Sequence, residues 1–459
     1  MESLDVTEAA ATTRRQLGLV PVVLMTFLSV CGGPFGSEEI VSACGPLIGL
    51  TALAVFPLVY SLPMNLLLAE LCSAFPVDSS FCTWVGMAFG SSWGFYVGYW
   101  SWMASTFDAA VYPCLITDAL FLGVSSDHDS VMVWATKTGI RVLILTVFMV
   151  PTLFSLYFVG KASTWVAVVV LLPFGVLVLV ALPQMQWGNL LAVSSCSSMQ
   201  WSRLVSVLFW NFRGFDAMGA YAGEIQHPQT NFHRAMVASL LLITGTYMLP
   251  LVAAVGVNQP AYATWTDGSF PVIARAIGGG PWLGQWVAVA NTVSSFGLYL
   301  AESSANGFRL AGMADVGLAP SWFAHRDEAT GSPRRALLFI YGLSVGMCCM
   351  DFTTILGVTN ALSILAQLVQ CSGALTLRFT HADLARPYRV NLSNHVLSGV
   401  MVLPMALAVG VFVNQVLLNA ITLGLTTAAV TMGICVRLAL LQTQPRHQYE
   451  PIPDCAQGT

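Results

Sequence analysis

Charge is what this sequence has least of. Only 9% of its 459 residues are Asp, Glu, Lys or Arg, against roughly 25% in soluble domains. Hydrophobic residues make up 56% and mean hydropathy is +0.73, so the chain reads as an all-α integral membrane protein lying in a lipid bilayer. It has no basic tract and a formal net charge of −4, which excludes nucleic acid as a partner. Its 7 histidines fall in loops or termini, and its 11 cysteines are scattered without metal-ligand spacing; neither a metal nor a cofactor is expected. The one cysteine pair open to consideration, Cys31–Cys44, has no support in the spacing. No nucleophile motif or phosphate loop appears, so an enzyme is not expected.

What the chain has instead is long apolar runs. A bilayer-crossing helix takes about 20 residues, and hydropathy gives about 12 transmembrane helices by that measure. They lie near 18–43, 46–72, 92–122, 137–158, 161–182, 202–224, 235–257, 282–312, 335–350, 353–379, 396–413 and 415–440. All but five of the 18 Lys and Arg residues (Lys137, Arg141, Arg203, Arg213 and Arg275) fall on one side if the N-terminus is cytoplasmic. That bias predicts cytoplasmic termini, and the plasma membrane is the expected location. The Asn391-Leu392-Ser393 sequon then faces the cytoplasm and stays unmodified. The first run lacks a small-residue cleavage site and reads as a retained span.

Two of the runs are interrupted. In the first, Gly32, Gly33, Pro34 and Gly36 precede Glu38 and Glu39 before apolar character resumes at Ile40. Three glycines and a proline in five residues do not hold a regular helix. In helix 6, Phe209-Trp210 gives way to Asn211, Arg213, Gly214, Phe215 and Asp216, then Gly219, Gly223 and Glu224. Broken helices persist at membrane depth only where protein or a wet cavity surrounds them. Two of them, each opening a block of five helices, point to an inverted repeat with a substrate site at the midplane. The predicted layout is a tail 1–16, a first repeat 17–182, a connecting loop 183–201, a second repeat 202–379, a cytoplasmic loop 380–395, helices 11–12 over 396–440 and a tail 441–459.

Ionisable residues inside the runs mark candidate function. Asp108 sits mid-span in helix 3, with Ala104 and Tyr112 four residues either side; Asp118 is nearer the exit and reads as interfacial. Helix 8 carries a polar stripe at helical spacing: Asn291, Ser295, Tyr299, Glu302, Asn306 and Arg309. Such a stripe either lines a wet pathway or joins helices by hydrogen bonds. Helix 10 has a weaker one, Asn360, Ser363, Gln367 and Gln370. An amphipathic run lies near Trp84–Phe89.

The motif Gly32-Gly33-Pro34-Phe35-Gly36-Ser37-Glu38-Glu39, with Gly45-Pro46-Leu47, resembles the first-helix signature of the polyamine/proton symporter family, within the amino acid–polyamine–organocation superfamily. Phe209-Trp210-Asn211 with Asp216 and Ala222-Gly223-Glu224 resembles its sixth-helix pattern. Asp108-Ala109-Ala110-Val111-Tyr112-Pro113, Ala301-Glu302-Ser303, Gly312-Met313-Ala314 and Arg386-Pro387-Tyr388 follow in the same order, and the likeness spans roughly residues 17–440. It implies twelve helices in a five-plus-five inverted repeat (LeuT-like) with helices 1 and 6 interrupted, working by alternating access. The implied activity is proton-coupled import of polyamines or related organic cations. Arg213 departs from what suits a polycation, and an amino acid carrier is the alternative. There the amides around Gly33–Gly36, or Arg213, hold a substrate carboxylate. A non-transporting nutrient receptor fits less well, since such receptors carry long cytoplasmic extensions. The expected substrate-binding residues are Gly33, Gly36, Glu38, Glu39, Asp108, Trp210, Asn211, Phe215, Asp216, Tyr299 and Glu302. Asp108, Glu224 and Glu302 are the candidates for exchanging the coupling proton.

Overall fold

The computed structural model describes residues 15–120, 131–195, 199–417 and 419–443. The expected tails fall almost wholly outside these residues, as does the side chain of Asp118. Among the described residues the chain is helical, and its sole bridge is the parallel pairing of Leu17 with Ile225. In order, the helices are α1 Leu19–Val30, α2 Glu38–Cys44, α3 Pro46–Phe56, α4 Leu62–Ala74, α5 Ser80–Phe89, α6 Ser91–Leu120, α7 Val131–Thr152 and α8 Leu156–Ala181. Then follow α9 Trp201–Asn211, α10 Pro228–Val257, α11 Phe270–Ile277, α12 Pro281–Asp315, α13 Arg334–Met347, α14 Phe352–Thr380, α15 Asn394–Phe412 and α16 Ala420–Thr443. A π-turn over Pro57–Ser61 joins α3 to α4 in one continuous rod.

Seven helical stretches among the described residues are long and apolar enough to cross a membrane: Pro46–Ala74, Met132–Thr152, Leu156–Gln184, Pro228–Val257, Phe352–Thr380, Asn394–Phe412 and Ala420–Gln442. The remaining expected spans differ for identifiable reasons. α1 has 12 residues and α9 has 11 because each stops at a break, and α13 has 14. α6 is rich in Trp, Tyr and Ser, and α12 carries the polar stripe.

Two boundaries differ from the sequence reading. Helix 4 ends at Thr152 and helix 5 begins at Leu156, so Lys161 lies inside a helix rather than between two. The turn is set by Pro151 and by Ser155, whose hydroxyl accepts from the Phe158 amide at the new N-terminus. Helix 4 also starts earlier, at Val131 rather than near 137, so Arg141 lies midway along α7, where it donates to the carbonyls of Cys348 (3.2 Å) and Met350 (2.9 Å). The run near Trp84–Phe89 is a buried helix, with Phe81, Trp84 and Val85 packed inside. Cys31 and Cys44 are both free and buried.

The interior is mostly apolar, and two of its charge clusters tie distant segments together. Glu70 accepts from Arg378, lies 3.2 Å from the guanidinium of Arg386 and accepts from the Val390 amide at 2.9 Å. Arg326 bridges Asp78 (2.9 Å) and Asp315 (2.8 Å), tying the α4–α5 turn to the end of α12. Each charge is compensated, as burial demands.

Candidate functional site

The first break runs from Cys31 to Ser37. α1 ends with the Cys31 amide on the Phe27 carbonyl (2.8 Å), and the chain then takes positive φ at Gly32, Gly33 and Gly36. Gly36, at φ +79°, combines a left-handed backbone with close packing: a Cβ there would lie 2.5 Å from the Trp210 indole. The second break has the same logic. Gly214, at φ +98°, would place a Cβ 2.9 Å from the Ser29 carbonyl oxygen. The two breaks therefore meet: Trp210 covers Gly36, and Gly214 rests on Ser29. Beyond Gly214 the chain winds as a 3₁₀ helix over Phe215–Glu224 rather than an α-helix. Both ends of this pair of elements are fastened. Leu17 donates to Glu224 O (3.0 Å) and accepts from the Gln226 amide (2.9 Å). At the opposite end Glu39 of α2 is ion-paired with Arg203 of α9.

A cavity of about 310 Å³ opens where the breaks meet, within the size range of small-molecule sites. Ser29, Val30, Cys31, Phe35 and Gly36 line it from the first break; Trp210, Arg213 and Gly214 line it from the second. Helix α6 contributes Asp108, Val111, Tyr112 and Leu115, and α12 contributes Asn291, Ser294, Ser295, Leu298 and Glu302. Each set recurs every three or four residues, so each is one face of its helix. Tyr247, Phe352 and the turn Asp267-Gly268 complete the wall.

The cavity's charges are arranged in pairs. Arg213 reaches both oxygens of Asp108 at 3.1 Å and donates to Ser363 Oγ at 3.4 Å. Tyr112 donates to Glu302 at 2.5 Å. Both acids are fixed by the fold, and the guanidinium neutralises one of them. With three acids (Asp108, Asp267, Glu302) and one base (Arg213) on its wall, the cavity carries formal negative charge when its acids are ionised. Phe35, Trp210, Tyr112, Tyr247 and Phe352 supply ring faces of the kind that attract cations.

The expected binding residues divide accordingly. Gly36, Asp108, Trp210 and Glu302 line the main cavity. Gly33 packs against Val170. Glu38 is buried and accepts from the Phe270 amide (3.1 Å) at the start of α11, while Glu39 accepts from Arg203 and from the Asp267 amide (3.2 Å). Neither lines the cavity; Glu39 is held by these donors, and Glu38 is bonded through Oε1 while its Oε2 has no hydrogen-bond partner among the described residues. Asn211 is fully buried beneath the break. Phe215 and Asp216 line smaller hollows, one of which shares Arg213, Gly214 and Glu302 with the main cavity; there Asp216 accepts from Ser101 (3.3 Å) and lies 3.9 Å from Arg309. Tyr299 turns its hydroxyl towards Met149 and its ring against Phe148 and Tyr112. Glu224 is buried where Leu17 bridges the 3₁₀ segment, apart from the cavity.

The helix-8 stripe thus has two functions along its length. Asn291, Ser295 and Glu302 face the cavity. Asn306 donates to Trp102 O and Thr106 Oγ1 (both 3.1 Å) and Arg309 to Ser105 Oγ (2.9 Å), joining α12 to α6. In helix 10, Gln367 accepts from the Tyr60 hydroxyl (2.6 Å) and Ser363 from Arg213. Asp267, Tyr247 and Phe352 are absent from the sequence expectation. The only sign of the first is a Thr-Asp-Gly-Ser turn before an apolar helix. Among the described residues no cluster of His, Cys, Asp and Glu is placed to hold a metal.

The family model described as amino acid permease matches residues 17–437. A probable polyamine transporter of Arabidopsis thaliana is 32% identical over 443 residues, covering 96% of this chain and 90% of that protein. A polyamine transporter of Oryza sativa subsp. japonica is 32% identical, covering 94% and 79%. A probable agmatine/putrescine antiporter of Lactococcus lactis is 23% identical, covering 83% and 84%. A match through both breaks and every cavity-lining helix makes this chain a member of the amino acid permease family, within the amino acid–polyamine–organocation superfamily.

Proposed function

We propose that this permease imports polyamines or related organic cations, coupled to protons, by alternating access. The observation that carries the reading is the acid-rich cavity at the junction of two broken helices, lined by Asp108, Glu302 and Asp267 against the single base Arg213. A polyamine is a chain of ammonium groups; separated carboxylates and ring faces match it at several points, each aromatic contact adding ~0.5–2 kcal/mol. The names of the relatives agree with this substrate class. The amino acid reading needs a free cation or free amides for the substrate carboxylate. Arg213 is instead committed to Asp108.

The architecture that goes with this function is twelve spans in a five-plus-five inverted repeat, the repeats being 17–182 and 202–379, with both termini cytoplasmic in the plasma membrane. Its support is the pairing of the breaks, each preceding one block, and the bias of Lys and Arg. Asp108 and Glu302, sharing one cavity with Arg213 between them in charge, are the groups proposed to exchange the coupling proton. Glu224 lies outside that cavity and is proposed to act only through the helix-6 end it belongs to. The test is uptake into proteoliposomes of labelled putrescine, spermidine and arginine, with and without an inward proton gradient. The expected result is gradient-stimulated accumulation of the amines and none of arginine. Gradient-independent uptake would remove the proton from the mechanism, and arginine uptake would restore the amino acid reading.

A further inference from the structure

We propose that Asp267 is the acceptor for the outer ammonium of a triamine or longer polyamine, and that Glu38 and Glu39 serve to hold it over the cavity. The inference rests on the cation-import reading above. Asp267 belongs to the connection between α10 and α11, not to any long helix, yet it lines the same cavity as Asp108 and Glu302. The inner acids are each occupied, Asp108 by Arg213 and Glu302 by the Tyr112 hydroxyl. The Asp267 side chain is exposed and has no basic partner among the described residues; its neighbour's amide, that of Gly268, is its only donor. It is the one cavity carboxylate that meets neither a guanidinium nor a side-chain donor among the described residues.

The turn that carries it is built to stay in place. Glu39 accepts from the Asp267 amide at 3.2 Å and is itself held by Arg203, while Glu38 accepts from the Phe270 amide at 3.1 Å. Both acids sit in the first turn of α2, directly beyond the first break. They therefore fix Asp267 relative to Gly36 and Trp210 at the same end of the cavity. Glu38 and Glu39 are positioning residues.

The cavity is long enough to separate the two charge sites. Its α12 wall runs from Asn291 to Glu302, a rise of roughly 16 Å at 1.5 Å per residue. An extended diamine separates its nitrogens by about 6 Å, and an extended triamine its outer nitrogens by about 11 Å, at ordinary bond lengths. The segment that follows Asp267 packs on the first turns of α12, where a Cβ at Gly284 would lie 2.6 Å from Pro271 O, so a diamine held at the inner acids stops short of the Asn291 end and each added aminopropyl unit carries a further ammonium towards it. The outer acid accordingly acts as a measure of chain length.

The experiment is initial-rate uptake of labelled putrescine and spermidine by proteoliposomes holding the full chain, wild type against Asp267→Asn, Asp267→Glu and Glu39→Gln. Asp267→Asn is expected to raise the KM for spermidine about tenfold, and that for putrescine by no more than about a third as much. Asp267→Glu restores the wild-type ratio of the two KM values. Glu39→Gln, which loosens the turn but leaves the acid, shifts the ratio in the same direction as Asp267→Asn and reads the effect independently should that variant not accumulate. An unchanged ratio, whether both KM values move together or neither moves, overturns the assignment of Asp267. A wild type that carries neither amine overturns the cation-import reading itself, so the two failures are distinct.

Discussion

Neutralising Glu302 without changing its shape tests the inner acid directly. Glu302 Oε2 accepts from the Tyr112 hydroxyl at 2.5 Å, and both residues lie among α6 and α12 side chains facing the cavity. In Glu302→Gln the amide oxygen still accepts from Tyr112, and side-chain volume is nearly unchanged, so helix packing is retained. What is lost is one negative charge facing the substrate. A hydrogen bond to a charged partner contributes about 1.5–3 kcal/mol, which at 1.4 kcal/mol per decade is roughly a 10- to 150-fold rise in KM. At tracer concentrations uptake falls by that factor, to near background, while surface biotinylation stays at the wild-type level. Glu302→Ala behaves differently: it strands the buried Tyr112 hydroxyl, at a cost of about 1–3 kcal/mol, so expression falls together with uptake. Undiminished uptake of spermidine by Glu302→Gln, at normal surface expression, would refute a role for this carboxylate.

Two further perturbations test the frame around the site. A Cβ at Gly312 would lie 2.7 Å from the backbone of Asp78 and of Ser79, and backbone cannot swing aside, so Gly312→Ala should separate the α4–α5 turn from α12 and lower melting temperature in detergent more than Gly342→Ala, where a Cβ meets nothing. Asp351 caps α14, accepting from the Thr354 amide (2.9 Å) and from the hydroxyls of Thr353 and Thr354; burial pushes its carboxyl up, but these hydrogen bonds outweigh burial and hold it below its ordinary value. Because its folded pKa is depressed, the cap's contribution, about 1 kcal/mol, is complete at neutral pH and is lost as pH falls below the ordinary carboxylate range of about 4. Wild-type and Asp351→Ala melting curves should be separated at pH 7 and converge in acid; a constant separation would contradict the assignment.

The breaks were legible in the sequence because their cause is local: positive φ at Gly36 and Gly214 is a property of residue type. Asp108 and Glu302 were legible because an acid within an apolar run has few structural alternatives. Glu38 and Glu39 carry the same signature in sequence, but what they touch is not local. Their partners, Arg203, the Asp267 amide and the Phe270 amide, come from segments more than 160 residues away. Asp267 was invisible for the opposite reason, since an acid in a polar loop is ordinary until folding brings that loop over a cavity. The helix-8 stripe identified one face, but a face packs against different neighbours along its length, so Glu302 lines the cavity while Arg309, seven residues on, holds α6. The helix 4–helix 5 turn was misplaced because Leu153 and Phe154 are as apolar as the helices they join.

Arg213 is the residue that in sequence argues against a cationic substrate, and its geometry reverses the argument. It is buried against Asp108, with both oxygens at 3.1 Å. Removing one partner of such a pair strands the other at about 3–5 kcal/mol. The guanidinium therefore compensates a carboxylate that would otherwise be bare when the cavity is empty, and it is not available to an anion. Agmatine and arginine are the pair that separates the possibilities, since they differ by one carboxylate. Agmatine should compete with labelled spermidine in wild type and arginine should not. In Asp108→Asn the guanidinium is released, so agmatine should lose competing strength while arginine gains it relative to agmatine. Arginine competing as well as agmatine in the wild type would mean that Arg213 is free to bind carboxylates, and the acid-lined cavity would then have to be read as an amino acid site.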